Sequence, residues 1–272
     1  MTIELTCSRL HGLGNDYVIF DQVDVRNLNL KTLAQAACNR HTGLGGDGII
    51  TLGPWGDLPS SFSIYNADGS QAELCGNGLR CAAALLSMRH EDAPRVSIRS
   101  AVAQHDLEVH RLASYRWRVG GPLTLAIDHG LFDFHVRDLE FEVHHIVVGN
   151  PHAIIFIDDA FSEGFLKDAF DALQLMPQFE DGVNVHLAVI QSPNEIKMCT
   201  WERGAGPTRA CATGAAAVAA AAHYADRCQG PIVVHLPGGD LYVDATNPDV
   251  AVQVTGDVHW IASMQWPASI DV

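Results

Sequence analysis

The chain has few lysines, a deficit of positive charge and no long apolar run, and these absences exclude several classes of protein. Its 272 residues include only three lysines, Lys31, Lys167 and Lys197, and the formal net charge is −15. Binding to nucleic acid needs clustered Lys and Arg side chains, which this sequence does not offer. The longest apolar run, residues 215–222, is far shorter than the ~20 residues that span a bilayer. The sequence therefore predicts neither nucleic-acid binding nor membrane insertion.

Signals for secretion, for a disulfide framework and for a metal site are also missing. The first residues, MTIELTCSRLHG, lack a basic start followed by an apolar stretch, so we expect a soluble, cytoplasmic protein. The seven cysteines are odd in number, and no Cys-x-x-Cys pair occurs. A pyridoxal enzyme would need a Schiff-base lysine, and no lysine here has Gly- or Ser-rich surroundings. We therefore expect no metal and no cofactor, and most cysteines are predicted to be buried small hydrophobes.

The chain repeats a pattern of short strands and helices. Apolar periodicity predicts helices over residues 30–40, 76–89, 165–175 and 212–226, separated by short β-branched strands. Residues 14–21 (GNDYVIFD) are similar to residues 149–156 (GNPHAIIF), and residues 75–78 (CGNG) are similar to residues 211–214 (CATG). The two matches lie 135 and 136 residues apart. A duplicated α/β unit with a ligand cleft between its copies is therefore predicted.

Cys75 and Cys211 occupy equivalent places in the repeat, each just before an alanine-rich helix. The positive end of a helix dipole stabilises a thiolate. The first turn also has backbone N–H groups without helical partners, which suit a substrate carboxylate. One thiolate can remove the proton of an α-carbon while one thiol delivers another to the opposite face. The pair therefore predicts amino-acid racemisation or epimerisation by acid–base chemistry.

Five motifs extend this interpretation to a known family. They are residues 11–17 (HGLGNDY), 66–81 (NADGSQAELCGNGLRC), 149–152 (GNPH), 182–185 (GVNV) and 202–214 (ERGAGPTRACATG). With these motifs the chain resembles the diaminopimelate epimerases over essentially its whole length. The resemblance implies reversible interconversion of L,L- and meso-diaminopimelate without a cofactor, in lysine and cell-wall precursor biosynthesis. It also implies a homodimer.

The fold that the resemblance implies is α/β (α+β), with two pseudo-symmetric domains. Each is a mixed β-sheet or barrel wrapped around a central helix, with the active site in the cleft between them. The expected N-terminal lobe comprises residues 1–118 and 264–272, because the C-terminal strand returns to it. The C-terminal lobe comprises residues 119–263.

The resemblance also implies roles for individual residues. Cys75 and Cys211 would be the catalytic acid–base pair. Backbone N–H groups would bind the reacting carboxylate at Gly76, Asn77, Ala212 and Thr213. The reacting amino group would contact His152 and Glu202. The distal end of the substrate would be held by Asn15, Asn66, Asn150, Asn184 and Arg203. Taken alone, each of these asparagines would be interpreted as a turn residue, and Arg203 as half of a surface ion pair with Glu202.

Two departures and three alternatives accompany this interpretation. Family members commonly carry Gly where Ala212 stands and Glu where Pro207 stands, which affects the loop before Cys211.

A two-cysteine racemase of another amino acid, such as proline or histidine, could use the same fold. Such substrates lack the second amino-acid head that Asn66, Asn184 and Arg203 would bind. A non-catalytic amino-acid-binding protein and a thiol peptidase are further alternatives. The first does not need two helix-start thiols, and the second needs a His–Asn partner set that is not evident.

Overall fold

A computed structural model of the chain describes residues 2–54, 56, 59–72, 75–123, 127–158, 162–247 and 251–269. The chain divides into two compact units, an N-terminal unit of residues 1–121 with 256–272 and a C-terminal unit of residues 122–255. Among the described helices, none combines the length and the apolar composition that crossing a membrane would require.

The N-terminal unit winds its strands around one long helix. Its strands are β1 (Thr2–Gly12), β2 (Asn15–Asp21), β3 (Gly48–Leu52), β4 (Ser60–Asn66), β5 (Gln71–Ala72), β6 (Arg95–Arg99), β7 (Gln104–Ala113) and β8 (Arg116–Leu123), and its helices are α1 (Gln22–Val25), α2 (Leu30–Cys38) and α3 (Gly76–Arg89). Helix α3 is the central one, because every residue from Asn77 to Ser87 is buried. Its Ala and Leu side chains favour the helix and pack into a core with Trp117 and Phe62.

The C-terminal unit has the same plan. Its strands are β9 (Ile127–Val136), β10 (Leu139–Val148), β11 (Pro151–Phe156), β12 (Asn184–Ser192), β13 (Glu195–Glu202), β14 (Gly206–Thr208), β15 (Ile232–Leu236) and β16 (Gly239–Asp244), its helices are α4 (Glu163–Leu173) and α5 (Ala212–Tyr224), and a 3₁₀ turn spans Pro177–Phe179. Strand β17 (Val252–Ser269) then leads back to the N-terminal unit. Residues 214–222 of α5 are all buried, and their small side chains let the backbones of the surrounding strands approach.

The predicted repeat is confirmed by strand pairing within each unit. Strands β2 and β3 are parallel, with Tyr17 opposite Gly48, and β11 and β12 are parallel, with His152 opposite Asn184. The next hairpins, β3–β4 and β12–β13, are antiparallel. A parallel pair then spans the central helix in each unit, β4–β6 and β13–β15. Each central helix therefore occupies the same topological position.

The unit boundaries differ from the expected lobes at the C-terminal return. The N-terminal unit regains the chain at residue 256 rather than at 264, and it runs to residue 121 rather than 118. The reason is the length of β17, which pairs with β1 from Val258 opposite Gly12 to Ser269 opposite Thr2. The resemblance implied the return of the C-terminal strand, but over a shorter segment than β17.

Two histidines lie inside the C-terminal unit rather than on its surface. His152 and His186 are both 0 % exposed, and His152 Nδ1 lies 2.8 Å from His186 Nε2. The other nitrogen of His186 lies 2.9 Å from Thr200 Oγ1. Burial lowers the pKa of His186 to about 3, and burial with the neighbouring His186 and His145 rings lowers the pKa of His152 well below its ordinary value. Both rings are therefore neutral at pH 7.

This pair should make folding sensitive to mild acid. The unfolded state takes up a proton near pH 6.5 whereas the folded state resists it, so stability is complete above that pH and is lost as the pH falls towards 3. We expect urea unfolding to show a decline of up to about 1.4 kcal/mol per pH unit from His186 between pH 6 and pH 4. His186→Gln should flatten this slope, whereas His110→Gln on the exposed part of β7 should not. A His186→Gln slope equal to that of the unaltered protein would contradict the assignment.

Candidate active site

The first half-site lies at the start of α3. Cys75 is the N-cap residue, with extended backbone angles (φ −139°, ψ 117°), and the first helical hydrogen bond runs from Leu79 N to Cys75 O at 2.8 Å. In any helix, the backbone N–H groups that come before the first such bond point out of the helix start, where a ligand can reach them. Gly76 and Asn77 therefore lie where backbone donors can bind a carboxylate.

The Cys75 side chain contacts a strand that precedes it by 58 residues. Tyr17 of β2 places its hydroxyl 3.0 Å from Cys75 Sγ, and the side chain of Asn15 is hydrogen-bonded to the same hydroxyl. Alternate residues of a strand share a face, which brings Asn15 and Tyr17 together. The result is a polar chain from Asn15 through Tyr17 to the thiol.

A buried arginine completes this half-site. Arg80 is 4 % exposed and donates through Nη2 to the side-chain oxygen of Asn77. Its Nε has no hydrogen-bond partner among the described residues. The guanidinium group thus fixes the side chain of Asn77 in the first turn of α3.

The second half-site lies at the start of α5. Cys211 is again the N-cap residue in an extended conformation (φ −131°, ψ 110°), and its sulfur accepts from Gly214 N at 3.3 Å. Thr213 Oγ1 lies 3.6 Å from the same sulfur. On β13, Glu202 accepts a hydrogen bond from the Thr208 hydroxyl and another from the Cys211 thiol. This cysteine is 5 % exposed, so its environment is almost closed within the unit.

Burial and charge both act on the ionisable groups of the second half-site. Burial raises the pKa of Cys211 well above its ordinary value, and the charge of Glu202 adds to this, against hydrogen bonds to Thr213 and Gly214. Burial also raises the pKa of Glu202, against the hydrogen bonds that it accepts. Because its pKa is raised, the Cys211 thiol keeps its proton and donates a hydrogen bond to the Glu202 carboxylate.

The glycine three residues after each cysteine lies close to a neighbouring strand, most tightly at Gly214. A Cβ at Gly78 would lie 3.0 Å from Ile64 Cδ1, and a Cβ at Gly214 would lie 2.4 Å from His186 Cε1 and 3.1 Å from Cys211 Sγ. The shared Cys-x-x-Gly pattern is thus explained by the close approach of each helix start to the neighbouring strands.

The residues predicted to bind the substrate occupy different environments. In the C-terminal unit, Asn184 accepts from Arg203 N at 3.0 Å and donates to Pro151 O at 3.1 Å. Arg203 is exposed and donates to Asp181 O, not to Glu202. His152 is enclosed, with Nε2 lying 2.8 Å from Asn150 Oδ1. In the N-terminal unit, Asn66 is exposed and donates to Ser70 Oγ at 2.9 Å within a turn.

Several residues of the half-sites were not singled out from the sequence. Tyr17 and Arg80 lie inside the motifs at residues 11–17 and 66–81, but a tyrosine after a turn and an arginine in a helix carry no signal by themselves. Thr208 likewise lies inside the motif at residues 202–214 without a signal of its own, and His186 lies outside every motif, since only the fold brings it beside Gly214.

Comparison with solved structures shows the class of fold. A phenazine biosynthesis protein of the PhzF family from Bacillus anthracis matches with a TM-score of 0.71 and 12 % identity, over 97 % of this chain and 99 % of that one. A hydroxyproline epimerase from Agrobacterium vitis, solved with trans-4-hydroxy-L-proline bound, matches with a TM-score of 0.69 and 15 % identity, over 97 % and 91 %. The chain thus has the two-domain α/β fold that these proteins share.

Comparison of sequences shows the family. The model of the diaminopimelate epimerase family matches residues 7–114 and 145–261. A diaminopimelate epimerase from Methanothermobacter thermautotrophicus is 38 % identical over 258 residues, which are 87 % of this chain and 89 % of that protein. The chain belongs to the diaminopimelate epimerase family, a family of isomerases.

The contacts of Gly214 lead to a test of how tightly the second half-site is built. We expect Gly214→Ala to lower the free energy of unfolding by about 1–3 kcal/mol, because overpacking against His186 outweighs the gain of up to about 1 kcal/mol in helix propensity. Gly130→Ala is the matched control, because a Cβ there would lie 3.6 Å from His145 Cβ, an ordinary contact. Urea unfolding of both variants measures the difference, and equal stability of the two would contradict the predicted clash.

Proposed function

We propose that this protein is a cofactor-independent epimerase that interconverts L,L- and meso-diaminopimelate, with Cys75 and Cys211 as its acid–base pair. One observation carries the proposal. Each unit begins its central helix with a cysteine in the N-cap position, in a chain that is 38 % identical to a diaminopimelate epimerase. One step of the reaction removes a proton from the α-carbon and the other returns a proton to it, so two topologically equivalent thiols suit the two steps.

The proposed reaction moves protons only. The thiolate of one cysteine takes the proton from the α-carbon, so that a C–H bond breaks and an S–H bond forms. The thiol of the other cysteine then gives its proton to the opposite face, so that its S–H bond breaks and a C–H bond forms. The N–H groups of Gly76, Asn77, Ala212 and Thr213 bind the carboxylate and stabilise the negative charge that develops between the two steps.

The remaining predicted contacts are proposed to fix the substrate. Arg203 is exposed, and its guanidinium group can bind a carboxylate with two hydrogen bonds. Its backbone N–H is bound to Asn184, so the two residues are placed together. We propose that they hold the distal head with Asn15, Asn66 and Asn150. The proposed contact of the amino group with Glu202 uses a carboxylate that is already beside Cys211. The proposed contact with His152 requires movement of Asn150, which covers its Nε2.

The biological setting is part of the same proposal. We propose that the reaction serves lysine and cell-wall precursor biosynthesis in the cytoplasm and that the protein is a homodimer. Sedimentation of the purified protein measures the oligomeric state directly, and a monomer at micromolar concentration would contradict the homodimer.

A racemase acting on another amino acid is the second candidate, because a hydroxyproline epimerase shares the fold. At 15 % identity that likeness concerns the fold only. The exposed Arg203 favours a substrate with a second charged head. Arg203→Lys should therefore raise KM for diaminopimelate strongly, since a lysine cannot form the two-pronged contact. Turnover of proline at a rate that is independent of Arg203 would favour the second candidate.

The proton path gives the decisive test of the mechanism. In heavy water, early product should carry deuterium at the inverted carbon while recovered substrate carries little, because each thiol holds a single hydrogen. Cys75→Ala and Cys211→Ala should each lower kcat by about 10²- to 10⁴-fold. Cys228→Ala is the matched control, because Cys228 is a buried cysteine outside both helix starts, and it should retain activity. NMR of the α-hydrogen and a coupled rate assay measure these outcomes.

Two results would contradict the proposal. Product that keeps its original hydrogen would show that one base serves both faces. Near-normal turnover by both alanine variants would show that the thiols do not transfer the protons.

A further inference from the structure

The two half-sites have the same backbone plan but different electrostatic surroundings. At Cys75 the neighbouring polar groups are a hydroxyl and a cation, Tyr17 and Arg80. At Cys211 the charged neighbour is an anion, Glu202. This difference in the charge of the neighbouring groups affects which thiol ionises more readily before substrate binds.

Tyr17 is positioned to donate a hydrogen bond to Cys75. Its ring is 4 % exposed, and its hydroxyl lies 3.0 Å from Cys75 Sγ. Burial raises the pKa of Tyr17 well above its ordinary value, and the charge of an ionised Cys75 raises it further. The hydroxyl therefore keeps its proton at neutral pH. Because an ionised sulfur can only accept, the contact between Tyr17 and a Cys75 thiolate has a single possible direction.

Arg80 adds positive charge to the same half-site. Although burial lowers the pKa of Arg80, a guanidinium group remains protonated in proteins. Its interaction with an ionised Cys75 is attractive, as are its interactions with Cys81, Tyr17 and Asp257. Of these groups, Cys81 is fully buried, and burial raises the pKa of its thiol above the neutral range. The same holds for the Tyr17 hydroxyl, so neither competes with Cys75 for the cation at pH 7. The Asp257 carboxylate also attracts Arg80, but it is bound by Arg118 at 2.8 Å.

Cys211 has the opposite surroundings. Its thiol donates to the Glu202 carboxylate, and ionising it would place two negative charges side by side in a buried site, which is unfavourable. His186, which approaches the same helix start, is neutral because burial lowers its pKa to about 3. The Gly214 N–H at 3.3 Å and Thr213 favour the thiolate, but burial and Glu202 act against them.

From this asymmetry we infer that Cys75 ionises more readily than Cys211, and that Tyr17 is the positioning residue that favours the Cys75 thiolate by donating a hydrogen bond to it. The inference rests on the proposed function for its catalytic meaning, although the ionisation itself is a property of the free protein. Its consequence is that the free enzyme is ready for the epimer whose α-hydrogen faces Cys75. The other epimer requires Cys75 to take up a proton and Cys211 to lose one first.

Site-resolved alkylation tests the ionisation directly. Iodoacetamide reacts with thiolates, and peptide mass spectrometry separates the rates of Cys75 and Cys211 in the intact protein from pH 5 to pH 10. The pH of half-maximal rate is compared for each thiol, because it is independent of how accessible the sulfur is. We expect a lower midpoint for Cys75 than for Cys211. A lower midpoint for Cys211 would overturn the inference without any variant.

Three substitutions separate the roles of the neighbouring groups. Tyr17→Phe removes only the hydroxyl and should raise the Cys75 midpoint by about one pH unit, which slows its alkylation at neutral pH about tenfold, and leave that of Cys211 in place. Glu202→Gln should lower the midpoint of Cys211 and leave that of Cys75 in place. Tyr115→Phe is the matched control, because Tyr115 is 61 % exposed, and it should move neither. An unchanged Cys75 midpoint in folded Tyr17→Phe would overturn the role of Tyr17.

A kinetic measurement distinguishes this inference from the proposed function. If both hold, Tyr17→Phe should lower kcat/KM for diaminopimelate at pH 7 and recover it at higher pH, because alkali ionises Cys75 without the hydroxyl. An alkylation order as predicted, in a protein without epimerase activity, would sustain the ionisation and remove the proposed function. Epimerase activity with the reverse alkylation order would do the opposite.

Discussion

A helix that is buried on every side needs partners for the N–H groups of its first turn, and this constraint shapes both units. In α3 and α5 nearly every residue is buried, and the first turn of any helix has N–H groups that the helix itself does not satisfy. Each start is a cysteine followed closely by glycine, where a Cβ would collide with His186 at Gly214 and lie tightly against Ile64 at Gly78. The packing of the central helix therefore also fixes the position of the thiol. A larger residue at either glycine would disturb both.

Duplication accounts for the equivalence of the two thiols, and divergence accounts for their differences. The strand order around each helix is the same. The side chains that reach the sulfur come from different places, Tyr17 from the parallel pair and Glu202 from the antiparallel hairpin. A proton transfer between two faces requires one ionised and one protonated group at the outset. The divergence therefore gives the two thiols different electrostatic surroundings.

Much of the fold could be predicted because its signals are local. The helices at 76–89 and 212–226 were predicted within two residues of the observed α3 and α5, since alanine and leucine runs act over a few neighbouring residues. The repeat was predicted because both copies keep Gly-Asn and Cys-x-x-Gly. The return of the C-terminal strand was implied only by the family resemblance and its extent was not predicted, because the pairing joins Thr2 to Ser269 and no local pattern records the partner. The extent of the N-terminal unit depends on that pairing.

By itself the sequence determined the two cysteines at helix starts and the family motifs, which are properties of short segments. The tertiary structure alone decided what surrounds each thiol. Tyr17 reaches Cys75 across 58 residues, and His186 lies against Gly214 only because β12 passes the start of α5. It also decided that His152 is enclosed by Asn150 and His186 and that Asn66 is bound within its own turn. The physical reason is that charge, burial and hydrogen bonding depend on which strands are neighbours, and strand neighbours are chosen by the whole chain.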